Sequence, residues 1–418
     1  MLEHRWRNVA FSAIAGFVVL SSSGAIASEK VLYSFRGGSD GANPYAGLIA
    51  DSAGNLYGTT GGGGSGTDCR GGSSGCGTVF KLAPDGTETV LYSFLGGNDG
   101  ANPSSSLITD RAGNLYGTTV EGGGANNYGT VFKLAADGAE TVLYAFKGGS
   151  DGISPAGNLV ADRSGNLYGA TAAGGSYTGS ACTDRGCGTV FEIGPNGTET
   201  ILYTFQGGSD GGVPYAGLTR DKSGNLYGTT NLGGTNIPNN CGGGDLGCGT
   251  IFKVTQSGTE SVVYDFQGGS DGWAPEAGLT MDSAGNLYGT TAGGGGAAYC
   301  EFGCGTIFKA APDGTETVLY AFQGGSDGLV PQAGVIMDKA GNLYGTTFAG
   351  GGTHCKRAGC GTVFKLAPDG TETVLSELYG KHGVQPAAGL FMGKDGLLYG
   401  TATIGGADND GVVFSVKR

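Results

Sequence analysis

Seven copies of one four-part phrase run along this chain, and the last copy is completed only by residues from its start. The phrase reads Ala46-Gly-Leu-Ile-Ala-Asp51, Asn55-Leu-Tyr-Gly-Thr-Thr60, Thr78-Val-Phe-Lys-Leu82 and Thr89-Val-Leu-Tyr-Ser-Phe94. Equivalent fourth segments begin at Val31, Val90, Val142, Ile201, Val262, Val318 and Val374, 52 to 61 residues apart. Each segment is rich in Val, Leu, Thr, Tyr and Phe and is bounded by Gly, Asp, Asn or Pro, which reads as a short strand. Four strands per unit, seven times over, predict an all-β, seven-bladed β-propeller of four-stranded blades. A β-solenoid is the rival reading, but it does not require the offset at the ends. Here Val31–Phe35 is a spare fourth strand, and Gly411–Lys417 is a third strand that lacks one. Pairing them closes the ring and removes two exposed sheet edges.

The 418 residues include 90 glycines and 12 prolines. Without a period, that composition would suggest disorder. Here the glycines recur at fixed points and mark turns. Residues 1–27 differ from the rest: Arg5 and Arg7 precede an apolar run from Val9 to Leu20 that ends in Ala25-Ile26-Ala27. This pattern predicts a secretory signal peptide at 1–27, followed by a single propeller domain at 28–418, secreted or periplasmic. No later segment has transmembrane length, and the mature chain is expected to be a monomer. The formal net charge of −13 argues against nucleic acid as a partner.

Turn chemistry assigns two faces to the disc. Asp51-Ser-Ala-Gly54-Asn55 and its counterparts join first to second strands, and Pro84-Asp85-Gly86 and its counterparts join third to fourth. Both are economical hairpin turns on one face. The opposite face carries the variable connections, from Ile404–Asp410 to the long Asn231–Gly249. Loops on a rigid scaffold are where binding resides.

Ten cysteines fall in those variable loops as five local pairs: Cys69/Cys76, Cys182/Cys187, Cys241/Cys248, Cys300/Cys304 and Cys355/Cys360. Units have both members or neither, which predicts five disulfides in an exported chain. Redox motifs are more tightly spaced, and structural zinc needs four convergent ligands. No metal or cofactor is therefore expected.

Candidate ligand contacts are of two kinds. Asp40, Asp99, Asp151, Asp210, Asp271 and Asp327 recur in a Gly-Gly-Ser/Asn-Asp-Gly loop, whereas the seventh copy has Lys381-His382. These carboxylates either form a ligand-binding ring or satisfy their own loops as Asx turns, and the turn is the favoured reading. Departures from the repeat are the better clue: Trp273, beside Pro275 and Glu276, and Tyr45 and Tyr215 after the equivalent prolines. Tyr177, Tyr299 and Phe302 decorate the cysteine loops. Aromatic rings beside carboxylates suit a sugar or a peptide. The recurrent Tyr57 and Phe80 series are instead expected to pack blade against blade, with Gly58 making room. No G-x-S-x-G, H-E-x-x-H or Walker motif occurs, and no catalytic residue is selected.

The recurrence of Gly-Asn-Leu-Tyr-Gly-Thr-Thr, then Gly-Gly, then Gly-Thr-Val-Phe-Lys-Leu resembles the bacterial GloVer tandem-repeat family, whose members are called choice-of-anchor proteins. The resemblance covers the whole mature chain and implies an exported bacterial protein, but no activity. The chain ends at Arg418 directly after a strand, so no anchor tail is expected. The Asp-x-x-Gly-Asn-Leu-Tyr pattern is also similar to NHL-type propeller repeats. The resulting expectation is an exported scaffold binding glycan or protein through its disulfide-stiffened face. The alternatives are a carboxylate-dependent extracellular polysaccharide hydrolase or lyase, and a structural surface or matrix component.

Overall fold

A computed structural model describes residues 29–69, 75–175, 182, 185–235, 241, 246–297, 299–301, 303–352 and 360–418. The expected signal peptide lies outside these residues. Seven antiparallel four-stranded sheets follow one another around a ring. Blade 1 comprises Ile49–Ala50, Leu56–Thr60, Thr78–Leu82 and Glu88–Ser93, and blades 2 to 6 repeat this order. Blade 7 takes Phe391–Met392, Leu397–Ala402 and Val412–Lys417 from the C-terminal end and Lys30–Ser34 from the other end. Lys30 pairs with Ser415 and Ser34 with Val412, so the ring closes through the mixed blade as the repeat offset predicts.

Blade seams make the core. Phe80 is fully buried and meets Phe35 of blade 7 edge-on, with centroids 5.1 Å apart. The same contact recurs at Phe94–Phe132, Phe146–Phe191, Phe205–Phe252, Phe266–Phe308 and Phe322–Phe364. The seventh seam replaces the outer-strand ring with Leu378, buried in the same cluster as Phe414. Such aromatic pairs add about 0.5–1.5 kcal/mol each beyond area burial. Gly58 stands opposite Phe80 on the neighbouring strand, and a Cβ there would lie 2.7 Å from the ring. The glycine is small because the phenyl ring crosses it.

The second-strand tyrosines also pack into the seams, but they carry a further role that the repeat pattern does not reveal. Tyr57 donates its hydroxyl to Asp51 Oδ2 at 3.1 Å, and Asp51 Oδ1 accepts the Ala53 and Asn55 amides. Each inner hairpin turn is therefore tied to the core by one phenol. Asp51 lies below its ordinary carboxylate range because the Asn55 and Tyr57 hydrogen bonds outweigh its desolvation.

Buried threonines close the loop-face ends of the second and third strands. Thr60 and Thr78 hydroxyls are 2.8 Å apart, and Thr60 also donates to Gly62 O. Five other blades repeat the pair. Blade 7 has Ala402 opposite Val412 instead, so both polar partners are replaced together and no hydroxyl is orphaned. Gly41, at φ 103°, lies over the Thr60–Thr78 pair; its Cβ would fall 2.7 Å from Thr60 Oγ1. Glycine is required there by both conformation and space.

Candidate functional site: the mouth of the axial channel

First strands line the axis with small residues. Ala46-Gly47, Ala216-Gly217, Ala277-Gly278, Ala333-Gly334 and Ala388-Gly389 occupy equivalent positions, and a channel of about 470 Å³ runs among them. Neighbouring strands reach backbone contact around it. A Cβ on Gly157 would lie 2.1 Å from Gly217 N, and one on Gly334 would lie 2.4 Å from Gly278 O. Blade 2 has Ser106 and blade 3 has Asn158 where the other five have glycine, and Asn158 Oδ1 accepts the Ser106 amide at 2.9 Å. The narrow axis leaves the loop-face mouth as the place where side chains can differ.

That mouth is ringed by the residue after the proline in six of the blades: Tyr45, Ser104, Tyr215, Glu276, Gln332 and Ala387. Tyr45 and Tyr215 keep 46% and 49% of their surface exposed, unusual for rings in a chain that buries its phenylalanines. Glu276 Oε1 accepts the Asn231 amide at 2.8 Å. Burial raises the Glu276 carboxyl above its ordinary value, with the Asn231 bond pulling the other way. Burial and then the Glu276 charge raise the Tyr215 hydroxyl, so these two side chains share one environment. Among the described residues lining the channel, Glu276 is the one carboxylate.

The residue before each proline holds the ring in place. Asn43, Asn102, Ser154, Val213, Ala274, Val330 and Gln385 all have φ between 52° and 58°. That region is unfavourable for non-glycine residues, above all for valine. Each is held by hydrogen bonds. Val213 N donates to Cys187 O at 2.7 Å, and Val213 O accepts the Asn231 amide at 3.2 Å. Asn102, Ala274, Val330 and Gln385 likewise donate to the carbonyls of Cys76, Cys248, Cys304 and Cys360 in the preceding blade. In the units without cysteine, Tyr128 O and Asp410 O take this role. The second cysteine of each loop thus anchors the next blade's mouth residue. Bonds join Cys69–Cys76, Cys182–Cys187, Cys241–Cys248 and Cys300–Cys304, with Cα separations of 5.3 to 5.4 Å. Such bonds belong to an oxidising compartment, extracellular or periplasmic. Cys355 lies outside the described residues, whereas Cys360 is buried.

Two shallow hollows flank the mouth on the same face. One, of about 210 Å³, has Tyr45, Asn43, Asn102 and Glu121 on its walls. The other, about 470 Å³, includes Glu121, Asn126, Asn127, Tyr128 and Arg185. Sequence reasoning did not single out Glu121, Tyr128 or Asn231. Their one signal was a place in loops that depart from the repeat.

The structure brings together Tyr45, Tyr215 and Glu276 and leaves the other candidates elsewhere. Trp273 pairs with Gly293, and its indole covers that glycine so closely that a Cβ would lie 2.2 Å from Cε2. The indole packs with Cys241, Cys248 and Phe266 at the seam between blades 4 and 5. Asp40 accepts the Tyr33 hydroxyl at 2.5 Å and the Arg36 amide at 2.8 Å. Asp99, Asp210 and Asp271 repeat this with Tyr92, Tyr203 and Tyr264 and the amides of Leu95, Gln206 and Gln267. Asp151 and Asp327 do so with Tyr144 and Tyr320 and the amides of Lys147 and Gln323. These six carboxylates organise their own loops, and none lines the channel. Tyr299 is exposed above Gly324; Tyr177 and Phe302 lie outside the described residues.

Known proteins fit this architecture. The model of the Gloeobacter/Verrucomicrobia repeat matches residues 17–242 and 239–418. No curated protein matches the chain. The extracellular domain of a Bacteroides thetaiotaomicron protein described as a hybrid two-component system superposes with a TM-score of 0.55 at 11% identity, covering 93% of this chain and 39% of that one. PorZ, a surface component of the type-IX secretion system of Porphyromonas gingivalis, gives 0.52 at 14% identity, over 92% and 48%. The chain thus spans under half the length of either. A gluconolactonase from Xanthomonas campestris gives 0.44 at 13% identity, over 93% and 88%, a likeness too distant to carry an argument about activity.

Proposed function

The chain belongs to the Gloeobacter/Verrucomicrobia repeat family, and from that premise we propose that it is an exported binding scaffold taking a glycan at its axial mouth. The single observation that carries this reading is the mouth ring. Tyr45 and Tyr215 present half-exposed aromatic faces, and Glu276 beside Tyr215 offers a carboxylate positioned by Asn231. Sugars stack their C–H faces on such rings and hydrogen-bond to such acids and amides. The disulfide-anchored loops hold the ring in place before ligand arrives, which reduces the ordering cost of binding. The hydrolase or lyase reading would need a second acid placed against Glu276.

The experiment is calorimetric titration of the purified protein against a panel of neutral and acidic oligosaccharides. Saturable binding weakened tenfold or more by Tyr215→Ala, and again by Tyr45→Ala, is the expected result. Saturable glycan binding that both variants leave intact would remove the mouth from the argument. Binding of a protein ligand alone would make this face a protein-binding surface instead.

A further inference from the structure

The outer rim holds a second repeated constellation that the binding face does not use. Glu88, Glu140, Glu199, Glu260, Glu316 and Glu372 each open the outer strand of their blade, and Glu29 stands just before the seventh. Each reaches across the seam to the preceding blade. Glu88 faces Asp40 and Tyr33; Glu140 faces Asp99 and Tyr92; Glu260 faces Asp210 and Tyr203. Glu199 faces Asp151 and Tyr144, with Lys147 alongside. Glu316 faces Asp271 and Tyr264, with Asp265 near that phenol, and Glu372 faces Asp327 and Tyr320. In all six, Glu Oε1 is sealed from solvent and has no hydrogen-bond donor. The phenol cannot supply one, because it already donates to the aspartate.

Two carboxylates sealed together repel when both are charged, but one proton between them makes a charge-assisted hydrogen bond. We propose that six blade seams are closed by a proton shared between the glutamate of one blade and the aspartate of the blade before it, so the rim is a clamp that acid tightens and alkali loosens. The electrostatics of the seams are consistent with this geometry. Burial first, and the facing aspartate second, raise Glu140 and Glu260 to about 7 and Glu372 to about 8. Glu88 and Glu199 also reach about 7, although Lys147 opposes the rise at Glu199. Glu316 is raised for the same reasons.

The seventh seam shows the reach directly and uses another chemistry. Ser376 stands where the other seams have tyrosine, and His382 stands where they have aspartate. Glu29 accepts the Ser376 hydroxyl and lies 2.9 Å from His382 Nδ1. Both replacements occur in the same unit, as expected if tyrosine and aspartate act as one device.

The sign follows from linkage. A glutamate raised from its ordinary 4.5 stabilises fully below that value, and the contribution is lost as pH rises through about 7 to 8. Folded protein at pH 6 should then hold about five more protons than unfolded protein at these six sites. The test is calorimetric unfolding of the purified protein in buffers of different ionisation enthalpy, with Tm followed from pH 5 to 9. Release of about five protons and a Tm that falls with pH are expected. Replacing all six glutamates by glutamine, a neutral donor of the same shape, should abolish the release and flatten the Tm profile. Glu140→Gln and Glu260→Gln alone should each remove about one proton, which keeps the test valid if the sixfold variant fails to fold. Release below one proton, or release unchanged by the single variants, would overturn the proposal. So would calcium restoring the acid-pH Tm at pH 9, because the pairs would then hold a cation.

Discussion

Phe205 tests the seam architecture most directly. It is fully buried, meets Phe252 of the next blade edge-on at 5.0 Å, and also contacts Tyr203 at 5.2 Å. Its cluster includes Tyr168, Val190, Leu218 and Leu226 from both sides of the seam. Phe205→Ala removes the ring and leaves a cavity between two rigid sheets that cannot easily collapse, so about 3–5 kcal/mol should be lost. Phe205→Leu should cost no more than about 1.5 kcal/mol, because it keeps most of the volume. The protein already tolerates this solution, with Leu378 against Phe414 at the seventh seam. Guanidinium unfolding followed by near-ultraviolet circular dichroism gives both values from the shift in midpoint at constant slope. An alanine cost below about 1.5 kcal/mol, or a leucine cost equal to that of alanine, would refute packing as the source of seam stability.

Three further outcomes follow from named contacts. Asp51, Asp110, Asp162, Asp221, Asp282 and Asp338 all lie below the ordinary 3.8, so their stabilisation is present above that value and lost as pH falls through their lowered values. Acid unfolding should accordingly begin below pH 3.8, and Asp221→Asn should reduce its steepness in a circular dichroism titration. Reduction of the disulfides should cost roughly 2 kcal/mol for each short loop, lower the thermal midpoint and leave the far-ultraviolet spectrum of the sheets intact. Trp273→Ala should destabilise by about 2 kcal/mol through lost packing on Gly293 and the Cys241–Cys248 loop, while leaving any affinity at the mouth unchanged in the same titration.

The candidate site was legible only in part. Tyr45, Tyr215 and Glu276 were visible because the residue after the proline varies from unit to unit where its neighbours repeat, and all three line one channel. Trp273 broke the repeat just as clearly, yet it fills a seam, since rarity along a chain carries no information about which way a side chain points. The aspartates of the Asp40 series were readable as turn residues, but their phenol partners lie seven residues earlier on the outer strand. A bulge in that strand, between Val79 and Phe80 in the pairing of blade 1, separates the partners from any simple alternation.

The sequence by itself determined the number of blades, the four-strand order, the turn and loop faces, and closure of the ring by its two ends. All of these follow from local period and turn chemistry, which act over a few residues and are written seven times. Only the tertiary structure decided what the blades do to one another. The mouth ring, the cysteine carbonyls that hold the strained residues before proline, and the glutamates facing aspartates across six of the seams join groups from different units. Such groups come into register only when the disc closes, because their distances are set by the angle between neighbouring blades rather than by spacing along the chain.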